Sequence, residues 1–288
     1  MRRLTLRLTA ACLLSTAIPV GMAVAAGPRA ASATVCGDQY LLALADPDQI
    51  AALSPQAADP WLSLLAGEAV RHRQVRPSAE AYLSLGVGVV LANAWSDHKT
   101  VELLERFGVR VVRIPLVERF EDIETVTATV AEALGHPERG AILNGAVRRR
   151  LAAVRSENAG AGRPALYLRP GGARAAAGTF VDEVMTAAGL TNQATAEGRS
   201  GWTGYDLERF VLNPPELLVT SFFESPDRSL RRAFGEHPAF VRRAAITPAV
   251  AVPGKSWVCS GWFLVEAAEA LADGLRRFPL SSSTNRGP

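Results

Sequence analysis

Several tryptophans stand at predicted loop positions, where a flat or apolar ligand could stack on them. Trp202 lies in a Gly-Trp-Thr-Gly turn, and Trp257 follows the last predicted strand. Trp61 and Trp262 each follow a similar break in the pattern. Exposed tryptophans at strand ends suit large ligands because the ring is rigid and mostly apolar. The sequence therefore predicts ligand-binding roles for Trp202 and Trp257. The alternative is that each ring packs over a sheet edge.

A helix–break–strand unit occurs twice in the chain, and a glutamate opens each copy. Glu80 opens the copy that runs to Ala92, and Glu208 opens the copy that runs to Thr220. Two copies predict two similar α/β lobes with a cleft between them, and the paired glutamates predict a partner that contacts both lobes. The alternative is a chance likeness, in which each carboxylate only stabilises the first turn of its helix through the helix dipole.

Residues typical of catalysis or metal binding do not converge in the sequence. No two of the four histidines have metal-ligand spacing; they are His72, His98, His136 and His237. No Gly-x-Ser-x-Gly motif marks a nucleophilic serine. The Gly-rich loop from Pro170 to Gly178 lacks the ending of a P-loop, although Arg174 in it is a candidate ligand contact. We therefore expect a binding protein that is not an enzyme and has no metal site or resident cofactor.

The N-terminus predicts export. Arginines precede the apolar segment from Ala10 to Ala26, and residues 23–25 and 31–33 are candidate cleavage sequences. This pattern is typical of a secretory signal peptide, residues 1–26 with cleavage as late as 33, and places the mature protein in the periplasm. The alternative is an uncleaved membrane anchor, for which the apolar segment is short.

Export also explains the charge. The formal net charge of +3 and the pI near 9.0 include three arginines within residues 1–26 and no acidic residue there. The mature chain is therefore close to neutral, which removes the main support for a nucleic-acid partner.

Two cysteines remain after processing, Cys36 and Cys259, near the two ends of the mature chain. In an oxidising compartment such a pair is a disulfide candidate. Two separate buried thiols are the alternative.

Alternating strands and helices predict an α/β fold of two Rossmann-like lobes with mostly parallel central sheets. The first short strand is predicted at Thr34-Val35-Cys36, followed by a helix that Asp38 caps. One long helix then joins the lobes, with arginines on its solvated faces. The predicted divisions are an N-terminal lobe at 34–135, the joining helix at 136–158, a C-terminal lobe at 159–280 and a disordered tail at 281–288.

The ordered motifs resemble those of the substrate-binding proteins of ABC importers for iron chelates and vitamin B12. The resemblance covers nearly the whole mature chain. It rests on the segment from Cys36 to Ser54, the two glutamate-led units, the segment from Gly178 to Asn192, and Trp257-Val-Cys259. It implies two lobes joined by a rather rigid helix, a ligand cleft between them and a membrane permease as partner, with a monomeric protein expected.

The resemblance also implies roles for particular residues. Trp202 matches a ligand-facing aromatic of the B12 binders, and Gln74 falls where those proteins present another aromatic. Arg73 belongs to a basic cluster suited to an anionic siderophore or to haem propionates. Glu80 and Glu208 match glutamates that face permease arginines. The expected function is capture of a corrinoid, iron–siderophore or haem; a zinc or manganese receptor and an exported hydrolase are the alternatives.

Overall fold

The structure is a computed structural model that describes residues 27–226 and 232–278. Within these residues the strands are β1 Ala30–Ser32, β2 Ile50–Ala52, β3 Val89–Asn93, β4 Arg110–Ile114, β5 Pro164–Leu168, β6 Ala173–Ala175, β7 Thr191–Asn192, β8 Trp202–Gly204, β9 Leu218–Thr220 and β10 Ala249–Ala251. The helices are α1 Val35–Leu44, α2 Ala66–Ala69, α3 Ala79–Ser84, α4 His98–Arg106, α5 Phe120–Ala133, α6 Pro137–Glu157, α7 Phe180–Ala187, α8 Gln193–Ala196, α9 Leu207–Leu212, α10 Ala233–Glu236, α11 Pro238–Ala244 and α12 Leu264–Arg276.

Two four-stranded parallel sheets organise the chain, one before α6 and one after it; we call the elements around them the first and second lobes. The first sheet has the order β2-β1-β3-β4, and the second has the order β10-β9-β5-β7. When the strands of each four-stranded sheet are numbered in chain order, both sheets have the order second, first, third, fourth. The α/β class with parallel sheets, predicted from the sequence, is confirmed.

The repeated unit occupies the same place in each lobe. In the first lobe α3 precedes β3, the third strand of its sheet, and in the second lobe α9 precedes β9, again the third strand. The sequence likeness between the two units therefore coincides with a likeness in topology.

The strands are buried on both faces, as parallel strands covered by helices must be. All three residues of β1 are buried, and so are the last four of β5. Alanines fill much of β1 and β2, which lets the covering helices approach closely. The largest apolar core runs through both lobes: it includes Leu41 and Ile123 of the first lobe, Val147 of α6, and Val184 and Leu271 of the second.

Helix α6 contacts both lobes along its length. Its 21 residues span about 32 Å at the usual rise of 1.5 Å per residue. Arg148 binds Glu124 of α5 at 2.7 Å, and Arg150 binds Glu266 and Glu269 of α12 at 2.7 and 2.5 Å. The arginines predicted to be simply solvated thus orient the helix against α5 and α12.

A second connection crosses between the lobes near the carboxyl ends of the strands. Cys36, in the first turn of α1, is disulfide-bonded to Cys259, which lies between β10 and α12. The next residue, Ser260, accepts a hydrogen bond from the backbone N–H of Val117 at 2.9 Å. The segment that leads into α12 is therefore fixed to the first lobe.

The start of the first lobe differs from the prediction. The strand predicted at Thr34-Val35-Cys36 is instead Ala30–Ser32, and α1 begins at Val35 because the Thr34 side chain accepts the N–H of Gly37 and caps it. Cleavage after Ala33 would remove β1, which pairs with both β2 and β3. The signal-peptide prediction for residues 1–26 and the predicted tail at 281–288 lie outside the described residues.

Among the helices of the described residues, none is long and apolar enough to cross a membrane.

The disulfide should contribute strongly to stability, because the two cysteines are 223 residues apart in sequence. We expect the double substitution Cys36→Ser, Cys259→Ser to lower the free energy of unfolding by about 2–5 kcal/mol in denaturant titrations. Reductant should destabilise the wild-type protein by a similar amount and leave the double variant unchanged. Mass spectrometry of the non-reduced exported protein gives the direct measurement: finding two free thiols would contradict the bond.

Candidate functional site

The carboxyl ends of the central strands define where a ligand can enter. In the second sheet β5 and β9 are neighbours, and their following connections lead to opposite edges, to β7 and to β10. A crevice opens at such a switch point because the two connections diverge. The same arrangement holds for β1 and β3 in the first sheet.

A cleft of about 710 Å³ lies between the two lobes. Its first-lobe wall follows β2, an edge strand, and its second-lobe wall follows β5 and β9, the strands of the second switch point. The lining residues include Asp59, Trp61 and Leu62 on one side and Arg169, Phe222 and Arg232 on the other. The volume is that of a typical small-molecule site, and we call it the interlobe cleft.

The first-lobe wall is a short, braced loop. Asp59 Oδ1 accepts the backbone N–H of Trp61 at 2.8 Å, which fixes the turn, and the Trp61 ring is 40% exposed. The start of the loop is anchored at Ser54, whose N–H and hydroxyl both donate to the buried Asp38 carboxylate, at 2.9 and 2.6 Å. The ring thus presents an apolar face to the cleft from a fixed position.

Asp38 is an unusual anchor because it is a fully buried carboxyl group. Burial raises the pKa of Asp38 to about 6, although the hydrogen bonds from Ser54 partly oppose the shift. The helix that Asp38 was predicted to cap is capped by Thr34, and Asp38 instead connects α1 to the loop after β2.

The second-lobe wall is built on Arg169, the residue after β5. Its guanidinium lies 4.3 Å from the ring centre of Trp202 and 4.8 Å from that of Phe222, so the cation is enclosed by two aromatic faces. Its Nε donates to the Tyr167 hydroxyl at 3.0 Å, and that hydroxyl lies 2.5 Å from Ser221 Oγ. The orientation of Arg169 is therefore fixed from below and from both sides.

Phe222 holds a strained backbone at the end of β9. Its φ of +66° is a conformation that bulky residues rarely adopt. Arg232 stabilises it by donating to the carbonyls of Phe222 and Phe223, at 3.0 and 2.9 Å. Gly254 packs so closely that an added Cβ would come within 2.5 Å of the Phe222 ring. The strain places the ring against Arg169.

The predicted ligand tryptophans have different environments. Trp202 is 39% exposed and stacks on Arg169, so it adjoins the cleft. Trp257 is 0% exposed and packs against Tyr167 at a ring-centre distance of 5.4 Å. The prediction that the Trp257 ring faces a ligand is wrong for this structure, because Trp257 belongs to the main core.

Arg174 is also used internally. It is buried on β6, where it pairs with Glu197 at 2.9 Å, donates to Thr203 at 3.1 Å and lies over the Tyr205 ring. The prediction that Arg174 contacts a ligand is wrong for this structure, because its guanidinium already has a carboxylate partner.

Arg73 and Gln74 lie at the edge of the first sheet. Gln74 forms a bridge with Leu53, and its side-chain amide donates to the Ala69 carbonyl at 3.3 Å. Arg73 is exposed and lines a separate hollow with Asp48 and Glu68. The structure does not bring these two side chains together with Trp202.

Glu80 and Glu208 occupy equivalent helix positions. Each is the second residue of its helix, is exposed, and follows a side-chain cap, Ser78 in α3 and Asp206 in α9. Their predicted role in binding a partner stays a prediction.

Arg169 and Phe222 are not among the site residues predicted from the sequence. Arg169 follows a buried strand and precedes Pro170-Gly171, a signal available in the sequence. Phe222 gives no comparable local signal, because its role depends on a strained turn.

Among the described residues, no three His, Cys, Asp or Glu side chains are grouped to hold a metal ion. A second hollow of about 430 Å³ lies at the carboxyl ends of β1 and β3, with Thr34, Gln56 and Trp95 in its wall.

No protein-family model and no curated protein sequence matches the chain. Solved structures do. The periplasmic heme-binding protein RhuT from Roseiflexus sp. RS-1, in apo form, aligns with a TM-score of 0.66 at 20% identity, covering 86% of this chain and 99% of the other. The periplasmic vitamin B12 binding protein BtuF of Vibrio cholerae aligns with a TM-score of 0.63 at 17% identity, covering 88% and 98%.

A protein described as an ABC-type Fe3+-hydroxamate transport system, from Saccharomonospora viridis, aligns with a TM-score of 0.60 at 19% identity, covering 86% of this chain and 93% of the other. At these identities the likeness is one of fold. The chain therefore has the fold of periplasmic substrate-binding proteins for chelates.

The buried Asp38 carboxyl should make stability depend on pH. Its folded pKa of about 6 lies above the ordinary 3.8, so the folded state holds the proton more tightly and stability falls as pH rises from about 4 to 6. At 1.36 kcal/mol per unit the fall approaches about 3 kcal/mol. Asp38→Asn should flatten this part of the profile in denaturant titrations, whereas Asp48→Asn, at an exposed site, should not. A wild-type minus Asp38→Asn difference independent of pH would contradict the assignment.

Proposed function

We propose that this protein is the periplasmic substrate-binding component of an ABC importer, and that it captures a metal chelate. The observation that carries the proposal is the interlobe cleft, which lies between two lobes of identical strand order and is lined by Trp61, Phe222 and Arg169, with Trp202 stacked on Arg169. The solved structures with the same fold include proteins named for binding heme, vitamin B12 and Fe3+-hydroxamate.

The walls suit a large ligand with apolar surface. Trp61 approaches from the first lobe and Phe222 from the second, so a flat or rounded chelate would contact aromatic faces on opposite sides. A few fixed polar groups, Arg169 among them, would set its orientation. This arrangement is typical of a binding site, in which burial of apolar surface gives affinity and a few polar contacts give specificity.

The connections between the lobes favour a nearly preformed cleft. Helix α6 is ion-paired on both sides, and the Cys36–Cys259 segment fixes the approach to α12. Limited movement of the lobes lowers the conformational-entropy cost of binding, because the cleft walls need little rearrangement to contact a ligand.

The same proposal gives Glu80 and Glu208 a role in docking to the permease. Their equal positions on α3 and α9, their exposure and the shared lobe topology support one acidic contact per lobe with a two-fold partner. Charge complementarity of this kind sets orientation and encounter rate more than affinity.

A chelate should stabilise the purified mature protein against heat. Cobalamin, cobinamide, haem and ferric siderophores should be screened; a ligand at 100 times its dissociation constant adds about 2.7 kcal/mol to the free energy of unfolding. Trp61→Ala should weaken binding of that ligand by about tenfold or more, since it removes an exposed aromatic wall. Phe107→Ala, at a 65% exposed site outside the cleft lining, is the matched control. If no chelate in a broad screen raises the midpoint temperature of thermal unfolding, the proposed function is wrong.

The docking role should separate transport from ligand binding. Glu80→Ala with Glu208→Ala should leave ligand affinity unchanged while strongly reducing uptake and association with permease-containing membranes, because only the docking charges are removed. Glu132→Ala, another exposed glutamate on a helix, is the control. Normal uptake by the folded double variant would show that both glutamates only stabilise the first turns of their helices.

A further inference from the structure

We infer that Arg169 is an anion-binding residue that restricts the ligand to chelates carrying a carboxylate or a similar anionic group. The inference rests on the proposed function for the chelate and deepens it by naming the charge class of the ligand.

The Arg169 side chain has few hydrogen-bond partners. Among the described residues only the Tyr167 hydroxyl accepts a hydrogen bond from it, at Nε, and no carboxylate pairs with its guanidinium. Arg174 and Arg209 share Glu197, and Arg232 donates to two carbonyls and pairs with Glu236. Within the described part of this wall, Arg169 is therefore the arginine whose two terminal nitrogens have no protein partner and can bind a ligand.

Keeping the Arg169 guanidinium in this place costs free energy. A half-buried cation between two aromatic rings has lost part of its hydration, and the rings compensate only in part. An anionic partner restores the lost interaction. The stack also fixes the plane of the guanidinium, so that its outer edge can bind both oxygens of one carboxylate.

The location of Arg169 in the fold also favours a ligand contact. Arg169 follows β5 and Phe222 lies two residues after β9, which puts the stack at the switch point of the second sheet, where α/β folds receive ligands. The strained backbone of Phe222 holds one side of the stack in place. Strain of this kind is retained where the surroundings impose it, commonly at ligand sites.

Among the described residues that line the cleft, the other charged side chains fit one anionic group on the ligand. Asp59 lies on the opposite wall, with one carboxylate oxygen occupied by the Trp61 N–H, and Arg232 is committed to the Phe222 turn. A ligand with an anionic group toward the second lobe and apolar surface toward Trp61 would satisfy this distribution.

The test uses two pairs of probes that differ only in charge: haemin with its dimethyl ester, and 2-naphthoate with 2-naphthamide. Dissociation constants come from quenching of tryptophan fluorescence, to which Trp202 contributes beside Arg169. The wild-type protein should bind the acid of a pair about tenfold or more tightly than the neutral member, as expected for a charged hydrogen bond.

Arg169→Gln should abolish that preference by weakening the acid about 10- to 100-fold, with the neutral probe little changed. Arg169→Lys should restore part of it, since the charge returns without the planar fork. Arg73→Gln, an exposed arginine in a separate hollow, should leave the preference intact. Thermal midpoints of the variants check that each is folded.

The outcomes separate this inference from the proposed function. A wild-type protein that prefers neither acid, or an Arg169→Gln variant that keeps the preference, overturns the anion role. If chelates bind regardless of charge, the chelate function stands and the anion role falls. If 2-naphthoate binds through Arg169 while no chelate binds, the anion site stands and the chelate function falls.

Discussion

The architecture depends on one constraint, which is that each sheet is parallel and must be covered on both faces. Parallel strands need crossover connections, and these bring helices onto both faces while all carboxyl ends emerge at one edge. In each lobe the first and third strands are neighbours, so the connections diverge and open a crevice there. The interlobe cleft lies at the carboxyl ends of β5 and β9 in the second lobe and of the edge strand β2 in the first. The candidate binding surface thus follows from how the sheets are connected.

Two linkages then decide how the edges face each other. Helix α6 is ion-paired to α5 through Arg148 and to α12 through Arg150, and the Cys36–Cys259 bond ties the chain before α12 to the first lobe. Both act at the boundary between the lobes, and the main apolar core is continuous across it. These linkages permit small movements of one lobe relative to the other more readily than large rotations.

The second-lobe wall shows how charge is divided between structure and binding. Arg174 is paired with Glu197 and lies on β6, which forms a small two-stranded sheet with β8. Arg169 is held by two aromatic rings and a hydroxyl, and no carboxylate among the described residues pairs with it. A paired guanidinium stabilises the fold but offers little to a ligand. A guanidinium that is held in place by neutral groups keeps its charge available for an anionic ligand.

The sequence by itself determined the strand–helix alternation, the repeated unit and the long helix between two sheets, because these depend on local periodicity and caps. It also identified Trp202 as a candidate near the cleft. Only the tertiary structure decided that Trp257 is buried against Tyr167, that Arg174 pairs with Glu197 and that Arg169 has no carboxylate partner among the described residues. The reason is that exposure and pairing depend on residues far away in the chain, whose approach no local pattern specifies.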